Sequence, residues 1–329
     1  MNLKTALITG GAGFIGSHIV DLLLKKKIKV FLVDDLSGGH LKNIKHHLKN
    51  KKLKFIKKNI NNLEFKNIGS KKIDYFFHLA GKGDIVPSIE HPELYFETNV
   101  TGTIKMLQLA RKLKVKKFVY AASSSCYGLA SVPTKENHFL DPKYPYALSK
   151  LMGEQLCTHW SKVYNLPIVS IRIFNAYGPR VRTTGSYGAV FGVFFKQKLS
   201  NKPFTLVGNG KQRRDFLYVD DIAEAFYLCA KSKIKNKIYN LGAGSPQNIM
   251  KLIKLIGGNY INIPKRPGEP ECTWANISKI KKDIKWKPKI KFEDGVREMI
   301  KNIDHWSDAP LWNVKNINKA TKNWFKYLK

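Results

Sequence analysis

The chain has 329 residues, 43% of them hydrophobic and 12% aromatic, enough to bury a sizeable core and too apolar for a disordered segment. Its four cysteines, Cys126, Cys157, Cys229 and Cys272, are scattered without CxxC spacing, so they read as reduced thiols, with neither a disulfide framework nor a metal site expected. The formal charge of +34, from 58 Lys and Arg against 24 Asp and Glu, would suit a nucleic-acid backbone if it were clustered. The lysines run through the whole length without an aromatic-interleaved motif, so no dedicated nucleic-acid site is expected and the charge serves at most to draw in a small anion.

Residues 3–8 and 29–33 are short apolar runs around a segment, 15–24, whose apolar positions recur at three- and four-residue spacing, a strand–helix–strand unit. Further strands are predicted at 53–56, 75–79, 117–121 and 167–172, with helices near 100–112 and 146–163 between them. Such alternation implies a parallel sheet covered on both faces. After residue 174 the rhythm breaks into loops rich in Gly and Pro, followed by a helix near 219–231, a strand at 237–241 and a basic region carrying Trp274, Trp286, Trp306, Trp312 and Trp324. No apolar run approaches the roughly 20 residues of a membrane helix, and no charged leader with a cleavable apolar stretch is visible, so the expected setting is the cytoplasm.

Gly10, Gly13 and Gly16 lie in the stretch that leaves the first strand and opens the first helix. Such glycines permit a tight turn, close approach of backbone to a pyrophosphate and close helix packing, while the helix N-terminus offers amides to the phosphates. Alone the triplet reads equally as an ordinary strand-to-helix turn. Asp34, ending the second strand eighteen residues past Gly16, has the spacing of a carboxylate that accepts from the adenosine ribose hydroxyls; a turn cap is its plain alternative. A carboxylate there repels a 2′-phosphate, which favours NAD over NADP.

Tyr146 and Lys150 stand four residues apart on a predicted helix and so project from one face. An ammonium near a phenol, together with a positive nicotinamide ring, would stabilise phenolate and bring Tyr146 toward use as a base at neutral pH. The run from Ser123 to Ser125 follows the strand at 117–121, at the carboxyl edge where open α/β sheets bind ligands.

These motifs, with His78-Leu79-Ala80-Gly81, Asn99 and Arg172-Ile173-Phe174-Asn175-Ala176-Tyr177-Gly178-Pro179-Arg180, occur in the order of the extended short-chain dehydrogenases, and the chain resembles the NAD-dependent epimerase/dehydratase family, the UDP-glucose and UDP-N-acetylglucosamine 4-epimerases in particular. Gln212-Arg213-Arg214-Asp215-Phe216 and Arg266-Pro267-Gly268-Glu269 extend the resemblance over nearly the full chain. It implies a Rossmann-type doubly wound parallel sheet, formed by residues 1–175 with 217–243 returning to it, and a smaller α/β substrate-binding region at 176–216 and 244–329. It implies NAD contacts at Gly10, Gly13, Phe14, Ile15, Gly16, Asp34, Asn59, Ile60, Leu79, Ala80, Gly81 and Asn99, and a catalytic set of Ser123, Tyr146 and Lys150, the last two also touching the cofactor. Substrate contacts are implied at Ser124, Ser125, Asn175, Arg214, Arg266 and Thr273, with Asn175 and both arginines at diphosphate positions. A homodimer through the helices near 101–114 and 146–163 is implied as well.

The resemblance also implies a reaction. Tyr146 takes the proton of the sugar hydroxyl while C4 gives hydride to NAD, and the transient 4-keto sugar receives it back on the opposite face. Related dehydratases and decarboxylases place carboxylates in the two positions after the hydroxyl partner; here these are Ser124 and Ser125, which favours epimerisation over 4,6-dehydration. Thr273 falls where some hexose-restricted epimerases carry Tyr, leaving room for an N-acetyl group. Two departures stand out: Asn59 replaces an adenine-contacting Asp, and residues 178–188 do not reproduce the usual sugar-contact loop. The alternatives are a dehydratase, decarboxylase or 4-keto reductase of the same family, or a redox-sensing or nucleic-acid-binding protein on the same fold, against which the presence of Ser123, Tyr146 and Lys150 argues.

Overall fold

A computed structural model of the chain describes residues 3–69, 72–181 and 190–328. Seven strands form one sheet: β1 (Thr5–Thr9), β2 (Lys29–Asp34), β3 (Leu53–Lys57), β4 (Tyr75–His78), β5 (Lys117–Ser123), β6 (Ile168–Ile173) and β7 (Lys237–Leu241). All neighbours pair in parallel, in the order β7-β6-β5-β4-β1-β2-β3, so the winding reverses between β1 and β4. Ligand crevices of open sheets form outside the carboxyl ends of the strands at such a reversal.

Helices that cover the sheet include α1 (Phe14–Lys25), α2 (Gly102–Lys112), α3 (Pro145–Val163) and α4 (Val219–Lys231). The strand period of two sorts neighbouring residues onto opposite faces. Ala6, Ile8, Leu32, Phe77 and Ile171 pack with Ile19 and Leu23 of α1 and Ile222 and Phe226 of α4. Leu7, Phe31, Phe76, Phe118 and Ile168 pack on the other side with Met106 and Leu107 of α2 and Cys157 of α3. Each fully buried side chain of this kind contributes roughly 1.5–3 kcal/mol, which is why strands buried on both faces read as unbroken apolar runs.

A separate core gathers Tyr177, Phe191, Phe195, Phe204, Phe216, Leu252, Val296 and Trp306. It lies beneath small strand pairs, Asn175–Tyr177 with Phe216–Tyr218 and Phe204–Val207 with Tyr260–Ile263, and the helices Val190–Leu199, Ile249–Ile256 and Phe292–Lys301. The helix expected near 100–112 differs from expectation at its start. Pro92 opens a helical turn, Pro92–Phe96, which runs through a π-turn, Glu97–Thr101, into α2. Proline suits the first helical position because its missing N–H has no partner there. No helix among the described residues is long and apolar enough to cross a membrane. Most of the segment 178–188 lies outside the described residues.

Candidate active site

Gly10 leaves β1 with φ +72°, a conformation that disfavours a side chain, and a Cβ there would stand 2.6 Å from the Ala80 nitrogen beyond β4. A Cβ at Gly16 would meet the Gly10 carbonyl oxygen at 2.1 Å. The loop between them is therefore a cradle of bare backbone, closed by the first-turn amides of α1, which have no intrahelical acceptor. Asp34, buried at the end of β2, accepts from Ala12 N at 2.9 Å and Leu36 N at 2.8 Å. Those two bonds brace the cradle and leave acceptor positions on the carboxylate for a sugar hydroxyl. Burial raises the Asp34 pKa, partly offset by these amides. A dinucleotide with its pyrophosphate over Gly13 and its ribose at Asp34 fits this donor and acceptor set.

Other expected cofactor residues take more specific places. Asn59 donates from Nδ2 to Asp35 Oδ2 at 2.8 Å and accepts from Asn61 N at 2.8 Å, so its side chain holds the β3 exit against Asp35. Ile60 is buried in the core, its Cδ1 only 2.5 Å from where a Cβ on Gly102 would stand. Ile15, Leu79 and Gly81 line the crevice, whereas Phe14 packs on the second core. Asn99, within the π-turn, accepts from Lys82 N at 2.8 Å and donates to Lys82 O at 3.0 Å and Ser149 Oγ at 2.9 Å. It thereby fixes the turn at Gly81 and ties it to α3. His78 is fully buried between Thr9 (2.7 Å) and Thr103 (3.1 Å), and burial, with a smaller push from Lys150, lowers its pKa to about 3. It is a neutral structural group.

Ser123, Tyr146 and Lys150 meet in one crevice of about 630 Å³. Tyr146 Oη donates to Ser123 Oγ at 3.1 Å, and the Ser123 and Ser125 hydroxyls are 2.8 Å apart. Lys150, 7% exposed, holds its ammonium 4.5 Å above the Tyr120 ring, and burial lowers its pKa to about 8. Burial raises Tyr146 above the ordinary phenol value, with the Ser123 hydroxyl bond the largest opposing influence.

The far end of the crevice is a network that motif reading did not resolve. Arg214 donates to Glu269 Oε1 at 3.0 Å and to Pro270 O at 2.9 Å, and Arg266 donates to the same carboxylate at 2.9 and 3.2 Å. Glu269, to which no role was attached in the sequence, thus bridges both expected diphosphate arginines. Asn175 accepts from Thr273 Oγ1 at 2.6 Å, and Thr273 in turn accepts from Asp215 N at 3.1 Å. Gln212, buried in the lining, has an Nε2 without a partner among the described residues, a further donor that the sequence did not single out. Ser124 also lines the cavity. Away from the lining, Asp21, His46 and His47 converge, with the two ring nitrogens 3.0 and 2.7 Å from one carboxylate oxygen; the other oxygen is 2.8 Å from Arg180.

The family model described as GDP-mannose 4,6 dehydratase matches residues 7–299. The chain belongs to the NAD-dependent epimerase/dehydratase family of extended short-chain dehydrogenases. Within this family it is 33% identical over 303 residues to a putative UDP-glucose 4-epimerase of Methanocaldococcus jannaschii, covering 89% of this chain and 96% of that one. Among solved structures it resembles the UDP-N-acetylglucosamine 4-epimerase of Methanobrevibacter ruminantium in complex with UDP-N-acetylmuramic acid, with TM-score 0.85 and 33% identity over 92% of this chain and 98% of the other. The UDP-glucuronic acid 4-epimerase of Bacillus cereus in complex with UDP-glucuronic acid and NAD also gives TM-score 0.85, at 31% identity over 92% and 99%.

Proposed function

We propose that this protein is an NAD-dependent 4-epimerase of UDP-linked hexoses, UDP-N-acetylhexosamines included. The observation that carries the reading is the Tyr146–Ser123 hydrogen bond inside the crevice, with hydroxyls at Ser124 and Ser125 where an eliminating enzyme needs carboxylates. The matched family model is named for a dehydratase; the serines at 124 and 125 weigh against that chemistry here, and the relatives reported above are named as epimerases.

In this reading the glycine cradle, Asp34 and Lys150 hold NAD, which when bound supplies reversible hydride acceptance at the sugar C4. Tyr146 accepts the proton of the C4 hydroxyl, Ser123 holds that hydroxyl and the phenol in line, and Lys150 stabilises the ionised phenol. Arg214 and Arg266 hold the diphosphate as planar, bidentate cations, with Asn175 beside them. Residues 176–216 and 244–329 form the substrate region on the sheet built by 1–175 and 217–243. A homodimer through α2 and α3, where Leu148 is 40% exposed, and a cytoplasmic setting complete the proposal.

The test is to incubate purified protein with UDP-, dTDP-, GDP- and CDP-sugars and follow products by NMR. A UDP-sugar equilibrating with its C4 epimer is expected. A stable 4-keto-6-deoxy product would sink the reading in favour of a dehydratase.

A further inference from the structure

The family match ends at residue 299, and the Methanobrevibacter enzyme is covered over 98% of its own chain by 92% of this one. Beyond residue 299 the chain continues in ordered structure. Asn313 caps a helix, Val314–Tyr327, by accepting from Asn316 N at 2.9 Å. Ile317, Thr321 and Trp324, four and three residues apart, form its buried face. Ile317 enters the second core, and the Trp312 carbonyl just before the helix accepts from Gln197 Nε2 at 2.8 Å.

At the other end of this face, Trp324 reaches the crevice lining. Its indole N–H donates to Pro267 O at 2.8 Å, the Arg266 guanidinium lies 5.1 Å from its ring centroid, and the Tyr144 ring is 6.3 Å away. Tyr144 in turn stacks on Tyr146, with centroids 6.2 Å apart and planes 11° from parallel. One residue earlier, Asn323 donates to Glu90 Oε1 at 3.3 Å. The helix therefore touches the segment that follows β4 as well as the turn that carries Arg266.

We propose that this helix is a specificity wall for the reaction above, with Trp324 closing the crevice between the catalytic tyrosine's neighbour and a diphosphate arginine. The indole holds Arg266 by its face and, as part of the lining, limits how large a substituent the bound sugar can carry. The idea rests on the proposed 4-epimerase reading for its substrate, but its geometry does not.

The NAD-loaded enzyme and its Trp324→Ala and Trp324→Phe variants are compared on UDP-hexose and UDP-N-acetylhexosamine. For Trp324→Ala, KM for UDP-hexose rises about tenfold with kcat within about threefold, and relative kcat/KM shifts toward the N-acetylated sugar, while NAD affinity is unchanged and Trp324→Phe restores most of the loss. An unchanged KM and sugar preference, or a loss that tracks NAD affinity and melting temperature, overturns the wall. If the wild type turns over no UDP-sugar, the 4-epimerase reading fails; calorimetric binding of UDP-hexose and UDP-N-acetylhexosamine then decides, a shift of preference toward the N-acetylated sugar in Trp324→Ala supporting the wall and an unchanged ratio removing it.

Discussion

Lys150 carries a cost that its chemistry explains. A lysine whose folded pKa is about 8 sits below its ordinary value, so between about pH 8 and 10.5 the unfolded chain binds more protons than the folded one. Stability contributed at this position rises with pH over that window, and at neutral pH the buried charge is a penalty. Lys150→Met is thus expected to melt higher than wild type at pH 7, with the difference shrinking as the pH climbs past 8, which calorimetry checks. The same variant is expected to lose activity by about 10²-fold and to shift the acidic limb of its pH–rate profile upward, because burial holds Tyr146 high and the Ser123 hydroxyl alone is then left to offset it. At the substrate end, Thr273→Tyr is expected to suppress kcat/KM for UDP-N-acetylhexosamines at least about tenfold more than for UDP-hexoses, since one misfit group is worth roughly 1–3 kcal/mol. Steady-state kinetics on both substrates reads the ratio, and equal loss refutes the assignment.

Among the elements, α3 carries Tyr146 and Lys150 and is fastened to the sheet by an ion pair. Arg172 on β6 donates to Glu154 on α3 at 2.6 and 2.8 Å, with both side chains almost wholly buried, and also to Tyr127 Oη at 2.6 Å. Burial works against the Arg172 charge, but Glu154 outweighs it and raises the pKa. Glu154→Leu leaves that guanidinium buried and unpaired, so a loss of about 3–5 kcal/mol is expected, read as a lower midpoint in denaturant melts. The sequence showed these elements well, through unbroken apolar runs in the central strands and three- and four-residue apolar spacing in the helices: β1 to β7 and α1 to α4 appear within a residue or two of their predicted places. It did not show the π-turn at Glu97–Thr101, because a one-residue widening of a helix leaves the apolar period almost unchanged. Nor did it show that Glu269 bridges Arg214 and Arg266, since a pairing across 55 positions leaves no local spacing to read.

For the whole molecule, the charge of +34 acts at a distance. A UDP-sugar is anionic, so a positive envelope speeds its capture, and salt screens that pull. As the ionic strength rises from about 0.01 M to about 0.15 M the screening length falls from roughly 30 to 8 Å. Over that interval kcat/KM is expected to drop severalfold while kcat holds steady, which initial-rate kinetics in graded NaCl measures. A salt-independent kcat/KM would assign the excess lysine no part in catalysis.

The carboxylate between Arg214 and Arg266 has one more consequence. A pair of guanidinium groups set aside for phosphates would repel each other and seize any passing phosphate; with Glu269 already gripping both, a diphosphate bound there as proposed would gain only the difference between two anions. On the proposed reading, affinity is expected to be moderated by an internal competitor free to reclaim its place as the nucleotide departs, which would favour rapid exchange of one sugar for the next.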